Sequence, residues 1–222
     1  MRTWVYSISM QILLQILNFF LHVDKQLFQI VAQYGSLTYA ILFGVVFMET
    51  GLVIMPFLPG DSLLFAAGAL AAGGALNIWM VFGLLLLAAF LGDTVNYWIG
   101  HWIGPKAFSG KLPFLKKEYL DKAQAFYEKH GGKAIILARF VPIVRTFAPF
   151  VAGVGKMNYG KFISYNFIGG LLWVSMFSFG GYFFGSLPFV KENFHYVVLL
   201  IIAISILPMI WEFLKARQES KN

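Results

Sequence analysis

The chain has 222 residues, 59% hydrophobic and only 12% charged, with a net charge of +7 and no cysteine. No polar stretch is long enough to fold as a soluble module, so a single polytopic membrane domain is expected over 1–222, and thiol or disulfide chemistry is excluded. Seven lysines lie between Lys106 and Lys133, and Lys215, Arg217 and Lys221 make the tail basic. Because Glu118, Asp121 and Glu128 interrupt the basic loop, these charges read as positive-inside topology rather than as a nucleic-acid or lipid-targeting surface.

Residues 4–23 form a moderately apolar helix carrying Gln11, Gln15 and Asn18. Only Arg2 precedes it as a basic flank, and no small-x-small cleavage site follows, which argues against a secretory signal. It is expected to span the bilayer or to lie along its interface. Residues 24–36 connect it to 37–55, which is apolar apart from Glu49. Pro56, Pro59 and Gly60 then break the backbone beside Asp61, and 62–75 returns as a helix of small residues. A carboxylate at bilayer depth costs roughly 2.5–3.5 kcal/mol on insertion scales. Broken backbone at that depth needs protein or a wet cavity around it. Residues 37–75 are therefore expected to form a helical hairpin with its tip at Pro59 and Gly60.

Residues 79–102 read as a spanning helix, with Asp93, Asn96 and His101 towards its end. Asp93 and Asn96 are three apart and share a side; they line a cavity or mark the cytoplasmic end of the helix. The polar connection 103–132 contains a short surface helix at 119–130. Residues 133–156 are hydrophobic but hold Arg139, Pro142, Arg145 and Pro149. Proline disrupts a helix interior, and each limb is too short to cross a core of ~30 Å at ~1.5 Å per residue. A second re-entrant hairpin is expected, broken at Pro142 and Pro149. Residues 161–184 and 194–214 read as two further spanning helices.

Topological parity agrees. If 106–133 is cytoplasmic and 134–155 dips in and returns, Lys156, Lys161 and the basic tail are all cytoplasmic. The same count puts 24–36 outside and, if the first helix spans, Arg2 inside. Shifting the chain by 85 residues places Phe65, Ala67 and Gly68 on Phe150, Ala152 and Gly153, and Tyr97 and Gly100 on Tyr182 and Gly185. Asp61 falls on Thr146, beside Arg145. The units 37–102 and 133–185 thus read as an inverted repeat, an architecture common in secondary transporters. The expected fold is an all-α integral membrane protein: two opposed re-entrant hairpins, each followed by a transmembrane helix, plus N- and C-terminal helices.

The segments FMETG (47–51), FLPGDSLLFAAGALA (57–71), GDTVNYWIG (92–100) and 126–162, which includes ARFVPIVRTFAPFVAGVGK, together resemble the DedA family of bacterial inner-membrane proteins. That family sits within a wider superfamily of VTT-domain proteins associated with lipid scrambling. The resemblance covers nearly the whole chain. It implies a transporter fold driven by membrane potential or protons, and either flipping of undecaprenyl phosphate, the lipid carrier of cell-wall synthesis, or phospholipid handling. It also implies functional roles for the acidic pair Glu49 and Asp61 and for the basic pair Arg139 and Arg145.

The chemistry of these side chains fits that expectation. Arginine stays charged, and its planar fork matches phosphate oxygens; hairpin tips add free backbone N–H groups. Glu49 or Asp61 is expected to take a proton, freeing Arg139 and Arg145 to bind a phosphate headgroup, with Asp93, Asn96 and Thr146 lining the cavity. The competing structural reading is a buried ion-pair network that closes the hairpin interface. Tyr97, Trp79, Trp98, Trp102 and Trp173 read as interfacial anchors or packing. Four histidines without paired spacing and the lack of cysteine leave no metal site, no GxxxxGK[ST] is present, and no cofactor is expected. The expected function is a proton-coupled flippase for a phosphate-bearing lipid in the cell inner membrane, with lipid and protons as partners, no nucleic acid, and a homo-oligomer admissible. Three alternatives are carried: a phosphatidylethanolamine flippase or scramblase; a membrane-embedded lipid-phosphate enzyme with an acid as general base, for which Ser62 and Thr146 are nearby hydroxyls; and a non-transporting scaffold.

Overall fold

The computed structural model describes residues 29, 33–52, 60–103, 117–194, 196, 197 and 199–201. The helices read at 4–23 and 194–214, and Pro56 and Pro59 of the first break, lie wholly or mostly outside them. The described chain is helical: α1 (Leu37–Gly51), α2 (Gly60–Ala72), α3 (Ile78–Ile103), α4 (Lys117–His130), a single 3₁₀ turn (Gly131–Lys133), α5 (Ala134–Ala138), α6 (Pro142–Val154), α7 (Tyr159–Phe184) and α8 (Pro188–Glu192).

Local chemistry sets these boundaries. Asn77 Oδ1 accepts from the backbone N–H groups of Trp79 (2.9 Å) and Met80 (3.2 Å), capping α3. Asn158 does the same for α7 through the Lys161 N–H at 3.1 Å. α1 stops at Gly51, after which Leu52 is extended (φ −107°, ψ 114°). α2 opens on Gly60 with Asp61 in its first turn, where a carboxylate faces the positive end of the helix. α5 gives way at Arg139 and Phe140; Val141 is then extended (φ −116°, ψ 108°), as the residue before a proline prefers, and Pro142 starts α6.

Pro149 departs from the sequence expectation. It lies inside α6 and does not end a limb. The break falls before Pro142 alone. Proline within a packed membrane helix is tolerated where neighbours satisfy the disturbed carbonyls. The carbonyl that loses its helical donor is that of Arg145, and the Asn96 side chain of α3 holds the adjacent Thr146 carbonyl at 2.8 Å.

α3 and α7 each contain 26 residues, about 39 Å of helix, and are apolar enough to cross a membrane. They run antiparallel: Phe82 packs on Phe179 and Phe90 on Phe167, and Asn166 Nδ2 donates to the Phe90 carbonyl at 3.1 Å. Both leave large apolar side chains exposed, including Trp79, Leu87 and Leu91 on one and Phe167, Leu172 and Phe183 on the other. The remaining apolar helices are short. α1 has 15 residues and α2 and α6 have 13 each, roughly 20–22 Å.

The short helices pair reciprocally with the long ones. α1 runs parallel to α3, from the Tyr39 hydroxyl at the Asn77 N–H to Gly51 against Gly92. α2 runs parallel to α7, with Phe65 against Gly181 and Ala69 against Gly185. α5 follows α7, with Gly132 at Tyr165 and Ile136 at Gly169, and α6 follows α3, with Phe150 at Gly100. The first limb of each hairpin therefore lies along its own long helix, and the second limb along the other.

Glycine makes these approaches close. A Cβ on Gly68 would strike the Ser178 carbonyl, and one on Gly153 would strike the Tyr97 carbonyl. These contacts refine the repeat. The pairs Phe65–Gly181 and Phe150–Gly100 become equivalent with a shift of 85 residues in the short helices but 81 in the long ones. Tyr97 and Gly100 therefore do not correspond to Tyr182 and Gly185. A slip of about one turn returns to the same helix face, so the sequence match survives at the wrong register.

Two apolar cores result. One gathers Leu42, Val46, Leu64, Leu85, Trp173 and Val174; the other gathers Tyr97, Ile135, Phe147, Phe150, Val151 and Phe162. Polar side chains fill the seam between them.

Candidate functional site

The seam is built where the hairpin breaks meet the middle of the long helices. Glu49, at the end of α1, is 2% exposed; Asp61 opens α2; Arg139 and Arg145 flank the break between α5 and α6. Charges so placed in an apolar setting must be partnered, and they are. Arg145 bridges the first hairpin, donating from Nη1 to Asp61 Oδ1 at 2.7 Å and from Nη2 to Glu49 Oε1. Arg139 turns to the long helices, where Nη2 meets Asp93 Oδ2 of α3 and Asn166 Oδ1 of α7, both at 2.5 Å.

The four charges read from the sequence are thus in one site, but the acidic pair and the basic pair are not matched one to one. Arg145 takes both acids of the first hairpin. Arg139 takes Asp93, which the sequence left between cavity lining and a helix end. Asp93 and Thr146 line a small cavity with Glu49, Arg139 and Arg145. Its volume of about 20 Å³ is room for one water molecule. Asn96 lies beside the cavity rather than in it. Its Nδ2 donates to the carbonyls of Thr50 (3.1 Å) and Thr146 (2.8 Å), pinning both broken elements to α3. Gly60 serves the site directly: a Cβ there would collide with the Glu49 carboxylate.

Sequence reasoning missed two contributors. Asn166 is buried on α7 and holds Arg139; a lone asparagine in the first third of an apolar span was the available signal. Trp173, read as an anchor or packing residue, is buried and donates Nε1–H to Asp61 Oδ1 at 2.8 Å. Its ring also lies 5.9 Å from Arg139 Cζ and 5.7 Å from Arg145 Cζ. By contrast, Trp79 and Trp102 are exposed, and Tyr97 is buried with its hydroxyl donating to the Met157 carbonyl at 2.5 Å. Among the described residues, no group of three His, Cys, Asp or Glu side chains is placed to hold a metal ion.

Three carboxylates therefore face two guanidiniums in a nearly closed space. Such a cluster can bind an anion if a carboxylate withdraws, and can take up a proton to balance its charge.

Comparison with known proteins identifies the family. The VTT domain matches residues 58–183, which span Asp61, Asp93, both arginines, Asn166 and Trp173. The chain is 53% identical to Protein DedA of Escherichia coli (strain K12) over 94% of its own length and 97% of that protein. It is 43% identical to an uncharacterized membrane protein of Mycobacterium leprae (strain TN), over 74% of each chain. It is 38% identical to Inner membrane protein YghB of Escherichia coli (strain K12), over 78% of this chain and 80% of that one. No solved structure matches. The chain belongs to the DedA family of VTT-domain membrane proteins.

Proposed function

We propose that this protein is a proton-coupled lipid transporter of the bacterial inner membrane that moves a phosphate-bearing lipid such as undecaprenyl phosphate. The observation that carries the reading is Arg145, held between Glu49 and Asp61 by both ends of its fork. Two carboxylates occupy the donors that a phosphate would take. Protonation of an acid from outside releases the fork, the headgroup replaces it, and proton loss to the inside restores the pairing. The cavity as described, about 20 Å³, corresponds to the empty, closed stage of such a cycle.

In the membrane, α1–α2 and α5–α6 act as re-entrant hairpins entering from opposite sides. Their limbs fall short of ~30 Å, and their directions along α3 and α7 are those of an inverted repeat. The loop holding α4 and residues 156–161 then face the cytoplasm, as do both termini. The site falls near the bilayer midplane, where Asp93 and Trp173 sit close to the middle of α3 and α7.

Leaflet exchange in proteoliposomes across a pH range tests the coupling. Glu49→Gln, which keeps a hydrogen-bonding group but cannot ionise, is expected to transport without pH dependence. An unchanged pH profile in that variant would remove Glu49 as the coupling acid.

A further inference from the structure

Trp173 has no part in the exchange just outlined, yet it touches Asp61 and both arginines. It is 3% exposed near the middle of α7. Its Nε1–H and Arg145 Nη1 both donate to the same oxygen, Asp61 Oδ1, at 2.8 and 2.7 Å. Its ring faces the guanidiniums of Arg139 and Arg145 together. A buried indole N–H requires an acceptor, and a buried guanidinium gains from an aromatic face; one side chain meets both needs here.

The two acids of the first hairpin are consequently not equivalent. Asp61 Oδ1 is held by two donors on two different helices. Glu49 has a single side-chain donor, Arg145 on Oε1, while its buried Oε2 meets only the backbone of Gly60. That oxygen lies against Gly60, where the missing side chain leaves room, and Glu49 borders the cavity. The other charges facing this pair are Asp93 from α3 and Arg139 from the α5–α6 break.

We propose that Trp173 is a positioning residue of this site: it fixes Asp61 as the standing counter-ion of Arg145 and seats both guanidiniums, so that Glu49 is the carboxylate left to exchange a proton. This rests on the reading of the site as proton-coupled and divides the work within it.

The test reads protonation without transport. Infrared titration of the reconstituted protein, with aspartate isotope-labelled at its side-chain carboxyl, separates glutamic from aspartic acid signals. In the wild type, a glutamic acid signal that Glu49→Gln removes is expected to titrate, read as the difference between the two spectra so that the other five glutamates cancel. Trp173→Phe keeps a ring face but loses the N–H. It is expected to add an aspartic acid signal absent from the wild type, which Asp61→Asn in the same background removes. No titrating signal in the difference between the wild type and Glu49→Gln, or Trp173→Phe titrating as the wild type does, overturns the assignment. The first arm stands whether or not Trp173→Phe folds. A protein that titrates as expected but moves no lipid sinks the transport reading while leaving this division of roles in place.

Discussion

Arg145 is the residue on which the two hairpins depend. Its fork spans Glu49 and Asp61, which lie on different sides of the first break. Removing one partner of a buried ion pair leaves uncompensated charge, at about 3–5 kcal/mol. Arg145→Ala is therefore expected to lower thermal stability in detergent markedly, and adding Glu49→Gln to recover part of the loss. If the double variant is less stable than the single one, the carboxylates are not what Arg145 offsets. Glu49, Asp61, Arg139 and Arg145 were legible because a charge in an apolar run is conspicuous whatever its contacts. Their pairing was not, because sequence spacing says nothing about which acid a long flexible arginine reaches across 84 or 96 positions. Trp173 does pack in the core, as one of its two readings had it, but its bond to Asp61 was not legible. Tryptophan is common at membrane interfaces, and only the packed structure puts this one against Asp61.

At the scale of elements, the hairpins hold because glycine lets short helices lie directly on long ones. Gly153 sits on the Tyr97 carbonyl, and Gly68 in the other half sits on the Ser178 carbonyl. A methyl group at either position must push two backbones apart, a strain of typically 1–3 kcal/mol. Gly68→Ala and Gly153→Ala are each expected to lower the melting temperature in detergent. Gly180→Ala, where a Cβ meets nothing within 4 Å, serves as the control and is expected to match or exceed the wild type. Equal behaviour of all three would mean that these helix contacts are looser than described. Hydropathy located α3 and α7 to within two residues. The second break was harder to place, because Pro142 and Pro149 look alike in sequence. Pro142 starts a helix, where its missing N–H is not needed, whereas Pro149 is carried inside one. The repeat was visible through Phe65, Gly68, Phe150 and Gly153, but a match among small and aromatic residues cannot distinguish registers one turn apart.

For the whole molecule, two apolar cores enclose a polar seam, and α3 and α7 cross it in opposite directions. That arrangement brings Glu49 and Asp61, on either side of the first break, together with Arg139 and Arg145 of the second. Two guanidiniums lie inside the seam and apolar helix faces outside it, as the proposed lipid carrier requires. The central claim is that the arginine fork exchanges carboxylate for lipid phosphate under control of a proton. The most direct measurement is leaflet exchange of undecaprenyl phosphate, against phosphatidylethanolamine, in vesicles with and without a pH gradient, for the wild type and for Arg145→Lys, which keeps the charge and loses the fork. The account predicts gradient-dependent exchange of the phosphate lipid by the wild type, reduced at least ~10-fold in Arg145→Lys, as expected when about 1.4 kcal/mol or more of charge-assisted hydrogen bonding is lost. Exchange no faster than in protein-free vesicles, or equal rates for the wild type and Arg145→Lys, would contradict it.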